Sequence, residues 1–273
     1  MQNKKFFSIL TGAYGLARPD KLLQIGAFRG TFVSAYFLYK KMFEDPFWNL
    51  VQRQQGLFQK GDILDIGANI GYTSTVFVGA LQPDSKVYAF ELDRQTNSLL
   101  EEVIRRKKLS RVIEAINMAV GRSEGQIRFW HNEKHSADHR VVTQRFSRSC
   151  LDDTKISTVP VTTVDSFVSN RHLRNISFIK IDVQGYELAV CEAMKDTLER
   201  FPETCACLEH SPDALVERGF EPGKVLHFFC SRGYQLHVLT RAAPQLVADD
   251  ESLQRFLYEA GYVDLLCSKR ALV

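Results

Sequence analysis

The residues with the clearest chemical meaning are D-I-G-A-N-I-G-Y-T at positions 65–73. They follow the apolar pair at 63–64 and precede a segment with helical spacing, an order that is typical of nucleotide-binding turns. Gly67 and Gly71 let the backbone turn tightly and approach a ligand without an intervening side chain. Dinucleotide-binding turns have a third glycine between these two, so that a pyrophosphate can sit at the helix N-terminus. Asn69 stands there instead, and it suits a smaller, uncharged or cationic ligand, so the loop favours S-adenosylmethionine over NAD.

A second carboxylate follows the next apolar run, Y-A-F-E-L-D at positions 88–93. Glu91 stands at the tip of this predicted strand, about 20 residues after the glycine loop, where a carboxylate can accept hydrogen bonds from both ribose hydroxyls. Alternatively, Glu91 caps the helix that begins near Arg94. After the third predicted strand, Asn117, Met118 and Ala119 could hold an adenine edge, although Met118 could equally be a core residue. The predicted cofactor contacts are Asp65, Gly67, Ala68, Asn69, Gly71, Tyr72, Thr73, Glu91, Leu92, Asn117, Met118, Ala119 and Asp182.

The candidate catalytic residues come from the ends of two later strands. The fourth strand ends in F-I-K-I-D-V-Q-G-Y-E at 178–187, where charges in a buried strand are unfavourable unless they are paired or exposed at its tip. Asp182 is therefore a candidate base, and Lys180 is its ion partner, a substrate ligand or a structural residue with a buried stem.

The fifth strand ends in C-L-E-H-S-P at 207–212, which adds Glu209 and His210. The pKa range of histidine suits proton transfer, although His210 could also be an ordinary polar contact. A divalent ion at Asp182 and Glu209 could acidify a hydroxyl group, but no residue pattern requires a metal.

Histidines and cysteines elsewhere do not form metal-site patterns. His131, His135 and His139 recur every four residues, but their segment is polar and has no H-E-x-x-H pattern, so we expect solvated or substrate-facing loop residues. The six cysteines include no C-x-x-C pair, and we expect reduced thiols in a cytoplasmic protein. They are Cys150, Cys191, Cys205, Cys207, Cys230 and Cys267.

From Gly61 onward, short apolar runs alternate with helical patterns, which predicts an α/β domain with a parallel sheet covered on both faces. A hairpin with a long loop is expected at about 122–160. Residues 235–239 and 262–268 are predicted to form an antiparallel edge pair. The predicted division is a helical N-terminal extension or cap at 1–58 and a cofactor-binding domain at 59–273.

Charge is unevenly distributed along the chain. Residues 1–60 carry nine Lys or Arg and three acidic residues, whereas the whole chain has a net charge of +3, so the remainder is slightly acidic. The rest of the chain therefore lacks the positive net charge that is typical of nucleic-acid-binding surfaces. The basic segment is interpreted as a solvated helical cap, with contact to an acidic partner or to an anionic membrane surface left open. The apolar window at 22–39 contains Arg29 and two glycines, so no membrane span is expected.

Taken in order, the motifs resemble those of the FkbM-type methyltransferases. The strings are D-I-G-A-N-I-G-Y at 65–72, V-Y-A-F-E at 87–91, V-T-T-V-D-S-F at 161–167, I-K-I-D-V-Q-G-Y-E at 179–187 and L-E-H at 208–210. The resemblance covers about residues 60–270. It implies a class I methyltransferase (Rossmann-like) fold, with a seven-stranded, mostly parallel sheet whose last strand is antiparallel.

The resemblance also implies methylation of a hydroxyl group by S-adenosylmethionine, often on a sugar, glycolipid or polyketide-type acceptor. By motif match, Asp65, Gly67, Asn69, Gly71 and Glu91 would hold the cofactor, and Lys180, Asp182 and Glu187 would mark the signature turn beside it. Two positions depart from the family pattern, which has proline at 92 and glutamate at 184, where this chain has Leu92 and Gln184. The alternatives to an O-methyltransferase are an NAD-dependent oxidoreductase and a non-catalytic cofactor-binding protein.

Overall fold

The computed structural model describes residues 26–59, 61–130, 140–141 and 156–272. The chain forms two compact units, one of Met1–Glu44 with Arg128–Thr158 and one of Asp45–Ile127 with Val159–Val273. The division predicted at residue 58 stays a prediction. Among the described helices, none is both long and apolar enough to cross a membrane.

The described strands are β1 (Asp62–Ile66), β2 (Val87–Phe90), β3 (Ile113–Ile116), β4 (Ala119–Val120), β5 (Gly125–Trp130), β6 (Arg140–Val141), β7 (Ile156–Thr162), β8 (Ile176–Ile181), β9 (Cys205–His210), β10 (Gln235–Leu239), β11 (Pro244–Leu246) and β12 (Val263–Ser268). The described α-helices are α1 (Gly26–Tyr39), α2 (Phe47–Arg53), α3 (Tyr72–Phe77), α4 (Arg94–Arg106), α5 (Val164–Asn170), α6 (Glu187–Glu192), α7 (Lys195–Arg200), α8 (Pro212–Glu217), α9 (Pro222–Cys230) and α10 (Asp250–Ala260). Short 3₁₀ turns at Gln55–Phe58 and Val78–Ala80 and a π-helical turn at Lys40–Glu44 complete the set.

The larger unit is built on an eight-stranded sheet with the order β3-β2-β1-β8-β9-β12-β10-β11. Strands β3 to β9 in that order pair in parallel, whereas β12 is antiparallel to both β9 and β10. The predicted fold class is therefore confirmed, with eight strands rather than seven because the short β11 extends the edge. The expectation of an edge pair is wrong in one respect, since β12 lies inside the sheet, between β9 and β10.

The strands are apolar because helices cover both sheet faces. All six residues of β8 are buried, and the side chains of Phe178 and Ile179 point to opposite faces. On one face Phe178 packs against Phe58 and Phe77, with ring centroids 4.8 and 5.5 Å apart respectively. On the other face Ile179 belongs to a larger apolar cluster that includes Leu64. Packing on both faces of the sheet therefore holds β8, and with it the residues at its carboxyl end, in a fixed position.

The helical pattern at 186–200 forms two helices, α6 and α7. The backbone turns at Ala193, whose carbonyl oxygen accepts a hydrogen bond from the Asp165 amide at 3.1 Å. The Asp165 carboxylate then accepts hydrogen bonds from the amide and hydroxyl of Thr197, at 2.7 and 2.6 Å. A side chain of α5 thus accepts hydrogen bonds from the first turn of α7, where backbone amides have no acceptor within the helix. This allows a new helix to begin there.

The insertion at 122–160 is described in part. Strands β5 and β6 pair antiparallel through Phe129 with Val141, and β4 pairs in parallel with β7 through Ala119 with Val161. The three histidines at 131, 135 and 139 lie outside the described residues, as do Cys150 and residues 1–25 of the basic N-terminal segment.

Candidate functional site

The glycine loop lies at the carboxyl end of β1 and begins helix α3. Gly67, Asn69 and Gly71 all have left-handed backbone conformations, with φ of +81°, +52° and +84°. The amides of Gly67 and Ala68 donate to the carbonyl oxygen of Phe90, at 3.0 and 2.8 Å, which ties the loop to the end of β2. Asn69 is one of the few residue types that tolerate this conformation without being glycine. The loop therefore forms without a third glycine.

Glu91 completes this loop from the end of β2. Its Oε2 accepts a hydrogen bond from the Asn69 amide at 3.0 Å, and its Oε1 accepts one from the Asp93 amide at 2.9 Å. Each carboxylate oxygen retains a second lone pair, so the half-buried group can still accept hydrogen bonds from a pair of hydroxyls. Burial raises the pKa of Glu91 to about 7, against the two backbone hydrogen bonds, which lower it. The cap of α4 is Asp93, which accepts a hydrogen bond from the Thr96 amide at 2.9 Å.

We expect the substitution Glu91→Ala to weaken S-adenosylhomocysteine binding about 10- to 100-fold. It removes a carboxylate acceptor, and the expected loss corresponds to one hydrogen bond to a charged group, about 1.5–3 kcal/mol. Isothermal titration calorimetry measures the effect, with Glu259→Ala, an exposed position on α10, as the matched control. An affinity within twofold of the parent protein would contradict this placement of the cofactor.

The residues predicted to contact adenine have partners within the protein. The amide nitrogen of Asn117 donates to the carbonyl oxygens of Glu91 and Leu92, at 2.9 and 3.0 Å. Met118 is partly buried and packs against the apolar cluster of Leu64, and Ala119 is buried at the start of β4. Asn117 therefore fixes the segment that follows Glu91. The adenine contacts stay predictions.

Asp65 and Tyr72 brace the loop through buried hydrogen bonds. Asp65 is fully buried, and its Oδ2 accepts a hydrogen bond from the Ser74 hydroxyl at 2.5 Å. The Tyr72 hydroxyl donates to Oδ2 of Asp45 at 2.7 Å. Asp45, just before α2, also accepts hydrogen bonds from the Phe47 and Trp48 amides of its first turn, at 2.8 and 3.0 Å. Sequence reasoning missed Asp45 and Ser74, although an aspartate just before Pro46-Phe47 is a helix-start signal. Of the other predicted contacts, Ala68 is buried and Thr73 is half-buried.

Lys180 lies between the glycine loop and the turn that follows β8. Its Nζ donates to the Gly67 carbonyl oxygen at 2.8 Å and lies 3.4 Å from Oδ2 of Asp182 and 3.5 Å from Oδ1 of Asp65. Burial by itself would lower the pKa of Lys180, but the Asp182 and Asp65 carboxylates outweigh it and raise that pKa. Lys180 is therefore a buried cation with two hydrogen-bond acceptors, Gly67 and Asp182, and a second carboxylate, Asp65, at ion-pair distance.

Asp182 and Glu187 occupy the two ends of the signature turn. The Asp182 side chain is 35% exposed, and its Oδ1 accepts a hydrogen bond from the Gln184 amide nitrogen at 3.2 Å. An ionised glutamate at 184 has no proton to donate in this way, so the departure from the family pattern adds a contact to Asp182. Oε1 of the buried Glu187 accepts from the amides of Val183 and Gly185, at 3.2 and 3.1 Å, and braces the turn. Burial raises the pKa of Glu187 to about 7.

Glu209 and His210 end the neighbouring strand on opposite faces, because successive strand residues alternate. Burial, followed by the negative charges of Asp182, Asp264 and Glu187, raises the pKa of Glu209 to about 8. His210 is 2% exposed, its Nδ1 has no hydrogen-bond partner, and burial lowers its pKa to about 4. His210 is therefore neutral at pH 7. The Glu209 side chain lies on the same face of the sheet as Lys180, and the His210 side chain lies on the opposite face.

The buried, neutral His210 should make folding stability sensitive to acid. Its folded-state pKa of about 4 lies below its ordinary value of 6.5, so the unfolded chain binds more protons and stability falls as pH drops through this interval. We expect His210→Gln to lose about 2 kcal/mol less than the parent protein between pH 7.5 and pH 5. Urea denaturation at both pH values measures this, and the comparison cancels the opposing contributions of Glu91, Glu187 and Glu209. Parallel pH dependence in the two proteins would contradict it.

Among the described residues, no organised metal or thiol site is present. Within them, no three His, Cys, Asp or Glu side chains form a group that could hold a metal ion. The described cysteines carry free thiols, of which only Cys230 is exposed. Burial raises the pKa of Cys191, Cys205, Cys207 and Cys267, so these thiols stay protonated at neutral pH.

The comparison with family models identifies one family. The family model described as Methyltransferase FkbM domain matches residues 65–236, more than half of the chain. No curated protein sequence matches significantly.

Among solved structures, the chain resembles a methyltransferase FkbM from Methylobacillus flagellatus, with 15% sequence identity and a TM-score of 0.50. This match covers 85% of the present chain but only 50% of that protein, so the chain spans about half of its length. An O-methyltransferase from Bacillus cereus in complex with SAH has 12% identity and a TM-score of 0.46, covering 93% and 91% of the two chains. A precorrin-6y C5,15-methyltransferase from Geobacter metallireducens has 12% identity and a TM-score of 0.41, covering 82% and 88%. At these identities the likeness concerns the fold.

Proposed function

The chain belongs to the FkbM methyltransferase family, and on this premise we propose that it transfers a methyl group from S-adenosylmethionine to a hydroxyl oxygen. The observation that carries the proposal is the position of Asp182. Its partly exposed carboxylate follows β8, and its Oδ2 lies 3.4 Å from the Lys180 ammonium, which also binds the glycine loop. A proton acceptor thus stands beside the loop that would hold the methyl donor.

The residues around the glycine loop fit the cofactor. Glu91 offers two carboxylate oxygens to the ribose hydroxyls, and the loop from Gly67 to Gly71 allows close backbone approach. Asn69 places an amide side chain, rather than a third glycine, where a dinucleotide would put its pyrophosphate. When bound, S-adenosylmethionine supplies an electrophilic methyl group on a sulfonium centre.

The acceptor proposed for this site carries hydroxyl groups. Asp182 would accept the proton of the reacting hydroxyl, and positioning beside the donor supplies much of the acceleration. Glu209, beside Asp182 by strand register, would accept or donate a hydrogen bond to a second hydroxyl, because its raised pKa makes both forms accessible near neutral pH. A sugar, a glycolipid or a polyketide-type molecule meets this requirement.

A transfer assay tests the proposal. The protein is incubated with S-adenosylmethionine carrying a ¹³C-methyl group and with extracts of glycans, glycolipids and small hydroxylated molecules, with magnesium or with EDTA. NMR of the product then identifies the atom that bears the label. Label in an O-methyl group supports the proposal, whereas label on nitrogen, carbon or sulfur overturns the hydroxyl acceptor.

Calorimetry with NAD and with S-adenosylhomocysteine separates the proposal from the remaining alternatives. Binding of S-adenosylhomocysteine alone is the expected result. Binding without transfer to any tested acceptor class would favour a non-catalytic cofactor-binding protein. Binding of NAD instead would overturn the assignment of the cofactor site.

A further inference from the structure

Lys180 connects the cofactor side of the site to the acceptor side. We propose that Lys180 is a positioning residue, whose buried ammonium group fixes the Gly67 carbonyl and the Asp182 carboxylate relative to one another. The inference rests on the proposed function, because it takes the glycine loop as the donor site and Asp182 as the base. Of the alternatives that the sequence left for Lys180, it develops the ion partner of Asp182 and disfavours the substrate ligand.

The donor count of the ammonium group supports this role. A lysine ammonium has three N–H donors and no acceptor. The structure places three oxygen atoms around Nζ, from Gly67 at 2.8 Å, Asp182 at 3.4 Å and Asp65 at 3.5 Å. The Lys180 side chain is 8% exposed. Two of the three donors form hydrogen bonds with Gly67 and Asp182, and the Asp65 carboxylate lies at ion-pair distance. Because the side chain also has little surface open to solvent, Lys180 is poorly placed to bind an acceptor molecule.

The three partners come from β1, from the glycine loop that follows it and from the turn that follows β8. Asp65 and Lys180 are register partners in the parallel pair of β1 and β8. Asp65 is fully buried and also accepts a hydrogen bond from Ser74, so it anchors the cation from below the site. The other two partners, the Gly67 carbonyl and the Asp182 carboxylate, are attached to the two segments that must be aligned for transfer. The ammonium group therefore connects the two segments, in addition to the direct hydrogen bond from the Asp182 amide to the Ile66 carbonyl oxygen.

A double-mutant cycle on S-adenosylhomocysteine affinity tests the connection. The four proteins are the parent, Lys180→Met, Asp182→Asn and the double variant, with the exposed Lys195→Met as control. Calorimetry gives the affinities, and urea denaturation gives the stability of each protein separately. We expect Lys180→Met to weaken binding about tenfold. Asp182→Asn should change the affinity about fivefold in the parent and by less than twofold when it is combined with Lys180→Met.

The outcomes separate this inference from the proposed function. An equal effect of Asp182→Asn in both backgrounds overturns the connection through Lys180, even if the protein binds S-adenosylhomocysteine well. Failure of the parent protein to bind S-adenosylhomocysteine overturns the proposed function, and the inference with it. If Lys180→Met does not fold because Asp65 is left as a buried unpaired charge, the whole cycle is carried out in the Asp65→Asn background. The same criterion then applies.

Discussion

Methyl transfer by Asp182→Asn should be about 10²- to 10⁴-fold slower than by the parent protein, whereas its affinity for S-adenosylhomocysteine should change less than tenfold. Asparagine preserves the shape of the side chain but cannot accept the proton of a hydroxyl, and general-base catalysis contributes about this much to enzymatic rates. The neighbouring Lys180 and Gln184 remain to orient the amide. Single-turnover formation of S-adenosylhomocysteine, with the acceptor found in the transfer assay, measures the effect.

Asp84→Asn is the matched control for this substitution. Asp84 is exposed in the turn before β2 and has φ of +65°, a conformation that asparagine adopts readily. Its rate should stay within twofold of the parent. If Asp182→Asn slows transfer by less than tenfold, Asp182 is not the base, and Glu209 becomes the next carboxylate to test.

The second large effect is expected for Gly67→Ala, on stability rather than on rate. A Cβ at this position would lie 1.8 Å from the Asp182 carbonyl oxygen, and the backbone there has φ of +81°. Relieving this steric clash requires moving the backbone at the end of either β1 or β8. We therefore expect a loss of about 3 kcal/mol or more in the free energy of unfolding. Urea denaturation measures this loss, and S-adenosylhomocysteine binding should fall with it.

Gly223→Ala provides the comparison within the same chain. Gly223 lies in the first turn of α9, and an added Cβ would meet nothing within 4 Å. Alanine favours the helix over glycine, so this variant should be as stable as the parent or slightly more stable. Equal stability of the alanine variants at 67 and 223 would show that the contact between the glycine loop and the signature turn is not tight.

The sheet and the strand tips could be predicted because they depend on local patterns. Strands β1, β2, β8 and β9 are apolar runs that end at polar residues, and parallel strand ends meet at one edge of a sheet. Asp182 and Glu209 could therefore be placed near the glycine loop from the sequence. Strand β11 could not be predicted, because three residues that include Pro244 carry no periodic signal.

The partners of the site residues could not be read from the sequence, because they come from distant parts of the chain. The Tyr72 hydroxyl binds Asp45, 27 residues earlier, and the break between α6 and α7 depends on Asp165 in α5. Two acids near one helix start, Glu91 and Asp93, both suit a cap, and only the hydrogen bond from Thr96 distinguishes them. The sequence pattern thus predicts where the site lies, whereas the assignment of each hydrogen-bond donor to its acceptor needs the folded chain.

The central position of β12 has a consequence for biosynthesis. Strand β9 is made earlier, but the strand that covers its outer edge is the last of the described strands along the chain. At about 5–20 residues per second, the ribosome needs about 3–12 s to proceed from the end of β9 to the end of β12. During that interval β9 presents an unpaired edge with Cys205 and Cys207, and such edges pair readily with other chains. The yield of folded protein should therefore respond to translation speed and chaperone supply as well as to the stability of the finished sheet.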